Sequence, residues 1–227
     1  MRLFLTAALL GALPPVLATP PPVSTSKGFH LLLVPHDDSD VKSLQMIHTG
    51  AGRSRAVAGE LSSDEIVFYQ NGTEGGGTVA TDVLPQGFPM SFSFDESGSG
   101  YTGEDHEEGE EEDGGDSVGR RLPIDITVST PTKGLTISEE EYDPWLVYAL
   151  GGHFFVCEQW VEYYRTTYPV LNWSGEEEGP EECVRVGVVP VCEELAELPD
   201  NAIGSHEFVE VVRCFVDDQS ASQSTRG

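Results

Sequence analysis

The chain has 227 residues, 39 of them Asp or Glu and 12 Lys or Arg, for a formal net charge of −27 at pH 7. Nucleic acid and anionic lipid are excluded as partners by that balance, because neutralising phosphates needs clustered Lys and Arg. The charge favours solubility and neutral or basic partners, and leaves the fold open.

In chain order, residues 1–18 read as a secretory signal. Met1-Arg2 is a short basic start, Leu3 to Leu13 is apolar and uncharged, and Val16-Leu17-Ala18 fits a cleavage site. The run is too short to span a bilayer, and no other apolar run is longer, so an exported protein without a membrane segment is expected. Residues 19–27, rich in Pro, Ser and Thr, read as a flexible leader. Residues 28–216 follow as one β domain, and the polar residues 217–227 as a disordered tail without a lipid-anchor signal.

Phe29-His30-Leu31-Leu32-Leu33-Val34 is nearly continuous in its hydrophobicity, which predicts a strand buried on both faces. Leu44, Met46 and His48 alternate with Ser43, Gln45 and Ile47 up to the glycine-rich break at Thr49–Gly52. Glu65–Gln70 predicts a strand, and Asn71-Gly72 a tight hairpin turn. Met90, Phe92 and Phe94 alternate with Ser91, Ser93 and Asp95, and Ile124, Ile126 and Val128 with Asp125, Thr127 and Ser129. Period two with one apolar face is the mark of a half-buried strand.

Between these two strands, residues 95–121 form an insert dominated by Asp, Glu, Gly and Ser. With almost nothing to bury and strong self-repulsion, it is expected to be a disordered loop. Arg120-Arg121 ends it, either as a dibasic cleavage site or as a partial counterweight to its charge. Further on, Phe154–Cys157, Val184–Val188 and Phe208–Val216 predict strands, and Glu193–Leu198 one or two helical turns before Pro199. Many short strands, Gly and Pro between them and no long 3.6-residue period give an all-β fold: an antiparallel sandwich or barrel with little helix.

Four cysteines in an exported chain imply two disulfides. Cys157, Cys183, Cys192 and Cys214 allow three pairings; Cys157–Cys183 with Cys192–Cys214 is preferred because it makes two successive local closures. No C-x-x-C, H-x-H or H-E-x-x-H occurs and the insert lacks a calcium ladder, so neither a metal site nor a cofactor is expected. Asn71-Gly72-Thr73 and Asn172-Trp173-Ser174 are N-glycosylation sequons.

Several local patterns resemble one family: Ser26-Lys27-Gly28-Phe29, the turn His48–Gly52, Phe68–Thr73, and Phe155-Val156-Cys157 with Cys183 and Pro190-Val191-Cys192. The family comprises small secreted proteins of filamentous fungi whose function is uncharacterised, and the likeness runs from about Ser26 to Leu198. It implies a secreted β domain and carries no activity and no functional residue.

Trp145, Trp160 and Trp173, with Tyr148, Tyr163, Tyr164 and Tyr168, would form a sugar-stacking platform if exposed, and core if buried. Hydrolase chemistry has less to point to. Among 39 acidic residues no carboxylate pair stands out. Asp125 and Glu158 sit on strands where each can face water. No G-x-S-x-G elbow occurs, and Gly204-Ser205-His206 offers adjacency only. His48, beside a glycine-rich turn, reads as bonding a loop carbonyl. The functional expectation is a non-enzymatic extracellular or cell-wall-associated protein. The alternatives are a carbohydrate-binding module for cell-wall polysaccharide and a small hydrolase with carboxylate catalysis. The oligomeric state has no sequence signal.

Overall fold

A computed structural model describes residues 21–37, 39–61, 65–73, 76–84, 87–95, 121–140, 143–179 and 181–224. The expected signal (residues 1–18) and residues 96–120 of the insert, Arg120 included, lie outside these ranges.

Strand β2 (Gly28–Pro35) is buried at every position, as its continuous hydrophobicity predicts. Phe29, Leu31 and Leu33 enter the main core, while Leu32 and Val34 join a smaller cluster on the opposite face. β2 pairs along its whole length with β13 (Cys183–Glu193). Its other edge is shared: Gly28–Phe29 pair with β5 (Phe68–Asn71), and Leu32–Leu33 with β3 (Lys42–Gly50).

The sheet closes on itself. From β13 the antiparallel pairing passes to β11 (His153–Val161), β12 (Thr166–Ser174), β8 (Leu122–Thr127), β4 (Arg53–Gly59) and β3, then returns through β2 to β13. A second route joins β2 to β8 through β5, β6 (Thr78–Leu84) and β7 (Phe88–Phe94). Met90, Phe92, Phe94, Ile124 and Ile126 all face the main core, as the alternation in β7 and β8 requires. Val128, past the end of β8, is exposed.

The remaining strands make the sheet mixed. β9 (Leu135–Ile137) pairs antiparallel with β10 (Leu146–Tyr148) and touches β6 in parallel. β14 (Val212–Phe215) touches β13 in parallel and pairs antiparallel with β1 (Val23–Ser26). The expected all-β fold stands, with these two parallel contacts as the departure from a purely antiparallel one. No helix among the described residues is long and apolar enough to cross a membrane.

Both disulfides form, as Cys157–Cys183 and Cys192–Cys214. Cys157 and Cys183 are direct partners across β11 and β13. Cys192–Cys214 ties β14 to β13, the strand under it.

Several expectations are corrected. The leader is not wholly flexible, since Val23–Ser26 pairs with β14. Part of the expected disordered tail is ordered: within residues 217–224, Asp218–Ser224 forms helix α1. Asp217 caps it by accepting from Ser220 N at 2.7 Å and Ser220 Oγ at 2.6 Å, and Ala221 packs into the cluster of Leu32, Val34, Val189, Val191 and Phe215. Glu193–Leu198 is not helical. The strand at Glu65–Gln70 starts only at Phe68, and Asn71 pairs with Thr78, so the Asn-Gly begins a longer link rather than a two-residue turn. The last strand covers Val212–Phe215, leaving Phe208 and Val211 exposed.

Phe215 is fully buried between the sheet and the C-terminal segment, whereas its neighbour Val216 is exposed. Phe215→Ala is expected to lower unfolding free energy by about 3–5 kcal/mol. Val216→Ala should stay within about 0.5 kcal/mol. Urea unfolding of the two variants measures the difference.

Candidate functional site

The β11–β12 hairpin outruns its neighbours. β11 pairs with β13 only from Phe154 to Cys157, and β12 meets β4 and β8 only at Val170, Asn172 and Trp173. From Glu158 to Tyr168 the two strands pair with each other alone. The Cys157–Cys183 bridge sits where this ribbon leaves the body. Its turn is closed by Arg165 N bonding Val161 O and Glu162 O, with Arg165 at φ 51°.

At that tip Trp160, Tyr163 and Tyr164 are 53%, 59% and 40% exposed. Tyr163 and Tyr164 meet edge to face at 5.0 Å, and Tyr164 meets Tyr168 at 5.4 Å. His48, from the β3–β4 turn, meets Tyr163 at 5.5 Å. His48 therefore contributes a ring contact in place of the expected loop-carbonyl role. Trp160 is registered opposite Thr167 and Tyr168 opposite Gln159, which puts the two rings on opposite faces of the ribbon. Trp160 Nε1 donates to Glu162 at 2.8 Å. The result is a row of rings, His48–Tyr163–Tyr164–Tyr168, with one indole behind it.

The other two tryptophans are packed. Trp145 lies over Gly187, where a β-carbon would come within 1.8 Å of its ring. Trp173 stacks on Phe94 at 5.2 Å, meets Tyr148 edge-on and donates to Gly151 O at 3.0 Å. Trp145 and Tyr148 line a groove of about 350 Å³ with His36, His153 and Arg185. Arg185 donates to His153 Nδ1 at 2.8 Å, which makes that nitrogen an acceptor. Burial first, then the Arg185 charge, hold both His36 and His153 below the usual histidine pKa. The groove thus has an indole wall and the Arg185 guanidinium on its rim.

Asp125 and Glu158, the two carboxylates singled out on strands, are not brought together. Asp125 is buried, not facing water, and forms a quartet with Asp95, Arg53 and Arg55. Burial pushes the Asp125 carboxyl up while both guanidiniums oppose it. Glu158 is exposed on the projecting ribbon. His206 pairs not with Ser205 but with Asp82, at 2.6 Å, and Asp82 also accepts from the Tyr69 hydroxyl at 2.9 Å. Burial holds the Tyr69 hydroxyl pKa above its ordinary value. This trio fastens the C-terminal loop to β5 and β6. One grouping with metal-ligand spacing occurs among the described residues: His30, Glu65 and Asp218. No sequence motif announces it, because the three lie far apart in the chain.

The two sequons differ sharply. Asn172 is fully buried, its Nδ2 donating to Val170 O at 2.8 Å and its Oδ1 accepting from Gln159 at 2.9 Å. A glycan on that nitrogen has no room, so Asn172 is withdrawn as a site in the folded chain. Asn71 is partly exposed at the end of β5, and Thr73 is exposed.

A family model described as a domain of unknown function, DUF7907, matches residues 26–192. The antigenic protein SchS34 of Stachybotrys chartarum is 31% identical over 223 residues, covering 88% of this chain and 90% of that protein. No solved structure matches.

Mass spectrometry of the protein purified from its native source is expected to find glycan on Asn71 and none on Asn172. The groove histidines give a pH dependence. Their folded pKa values lie below 6.5, so the unfolded chain takes up protons first and stability falls as pH drops below that value. His153→Gln removes one such group, and its melting temperature should fall less than wild type between about pH 7 and about pH 5.

Proposed function

The chain belongs to the DUF7907 family, and from that premise we propose that it is an exported, non-enzymatic protein that binds neutral cell-wall polysaccharide through the tip of the β11–β12 hairpin. The observation that carries this reading is the row His48–Tyr163–Tyr164–Tyr168, with Tyr163 and Tyr164 more exposed than ordinary core aromatics. Tyrosine suits the task, because its ring face packs against the C–H face of a pyranose while its hydroxyl bonds sugar oxygens. The net charge of −27 supports a neutral polymer over an acidic one. The disulfides support maturation in an oxidising compartment, and a relative named as an antigenic protein is in keeping with export. The sequence expectation of three stacking tryptophans is narrowed: the tyrosines carry the platform, Trp160 lies behind it, and Trp145 and Trp173 serve packing.

The test is retention on insoluble chitin and β-glucan. Tyr163→Ala and Tyr164→Ala are each expected to weaken binding about 2–10-fold, the range for losing one aromatic contact. Phe208→Ala, exposed away from the hairpin, should bind like wild type. Equal retention by wild type and both tyrosine variants would end the proposal.

A further inference from the structure

His30 lies on the face of β2 that α1 covers, and only 6% of its surface is exposed. Its Nε2 is 2.8 Å from Glu65 Oε2 and 2.9 Å from Asp218 Oδ1. Glu65 comes from the link before β5 and Asp218 from the first turn of α1, so three distant segments converge on one nitrogen. Glu193 approaches the other nitrogen, Nδ1, at 3.8 Å, too far for a hydrogen bond, and Nδ1 is buried without a partner.

Protons alone satisfy this cluster poorly. A neutral imidazole carries one N–H. Placed on Nε2, that hydrogen faces two carboxylate oxygens and leaves the Nδ1 lone pair bare in the interior. Placed on Nδ1, it leaves the Nε2 lone pair against two anions. A doubly protonated ring donates at both nitrogens, but it is one positive charge against three carboxylates and leaves the cluster with a net negative charge. A divalent cation removes the conflict by accepting the Nε2 lone pair and one oxygen from each of Glu65 and Asp218. It also leaves an N–H on Nδ1 on the side of Glu193, whose carboxylate stands 3.8 Å away, short of the hydrogen bond by which carboxylates orient metal-bound imidazoles.

We propose that His30, Glu65 and Asp218 bind one zinc ion, which fastens α1 to the outer face of β2. The three ligand atoms lie within 4.8 Å of one another. Zinc bonds of about 2.1 Å in a tetrahedron set ligand atoms about 3.4 Å apart, so the cluster opens by roughly half an ångström on binding. An imidazole donor with only two carboxylates favours zinc over calcium, which takes 6–8 oxygens. Asp218 is part exposed, with 44% of its side chain accessible, which gives the ion a path of entry and leaves a fourth position for water.

The experiment is zinc titration of the full-length secreted protein by calorimetry, after chelator treatment and at physiological salt to suppress diffuse binding by the acidic surface. Wild type is expected to bind one saturable equivalent and to melt at higher temperature when loaded. Glu65→Gln and Asp218→Asn keep size and shape, and each should weaken that equivalent at least tenfold, since even outer-shell losses cost about 10–100-fold. Asp218 is exposed enough that its variant folds even if the Glu65 variant does not. Absence of a saturable equivalent, unchanged affinity in Asp218→Asn, or equal displacement by millimolar calcium would each overturn the assignment.

Discussion

A strand that is apolar on both faces has to be covered on both faces, and β2 sets that condition for this fold. Its inner residues, Phe29, Leu31 and Leu33, are met by the closed sheet. Its outer residues, Leu32 and Val34, need a second layer, which Phe215 and Ala221 supply. β14 reaches that layer through one parallel contact with β13, a weak tether on its own. The Cys192–Cys214 bridge reinforces it by closing a short loop, a covalent link of the kind that adds about 2–4 kcal/mol. β1 then pairs with β14, so the two ends of the described chain share one small structure outside the ring.

Charge is distributed with the same economy. With 12 basic residues against 39 acidic ones, cations are scarce. Arg53 and Arg55 are both committed to the quartet with Asp95 and Asp125. That quartet fixes the end of β7 against β4 and β8 where the acidic insert departs. Both carboxylates are buried, and a buried carboxylate is tolerated only when paired and hydrogen-bonded. Removing one guanidinium would leave a charge uncompensated in the interior, so the arrangement reads as an anchor. Arg185, on the groove rim, leans on His153 instead.

β7 and β8 were legible from strong alternation and β2 from its continuous apolar run, and the cysteine spacing pointed to the pairing that forms. β4 and β6 were not, because Ala56, Val57, Val79 and Ala80 bury little area each and their polar neighbours hide the pattern. The C-terminal helix was misread for a related reason. Seven mostly polar residues carry almost no helical signal, and α1 exists because Asp217 caps it and Ala221 fills a gap. The two-faced hydrophobicity of Phe29–Val34 did imply a missing cover, but it could not say which segment supplies it. The tyrosine row was half legible. Aromatic density was plain, whereas the choice between Trp145, Trp173 and the hairpin depends on which strands outrun their neighbours, and that is a property of pairing rather than of composition.

That difference in pairing is also what separates surface from core along a single ribbon. Phe154, Val156, Leu171 and Trp173 have strands beside them and join or pack against the main cluster. A few residues further along no described strand flanks the ladder, and Glu158, Trp160, Thr166 and Thr167 are exposed. Exposing several aromatic rings on a free two-stranded ribbon costs stability without return unless something holds the ribbon and something binds the rings. The first requirement is met by the covalent bond between Cys157 and Cys183 at its root. A flat, uncharged polymer laid across His48, Tyr163, Tyr164 and Tyr168 would meet the second. It would need no closing lid, because the rings already meet one another in the folded chain.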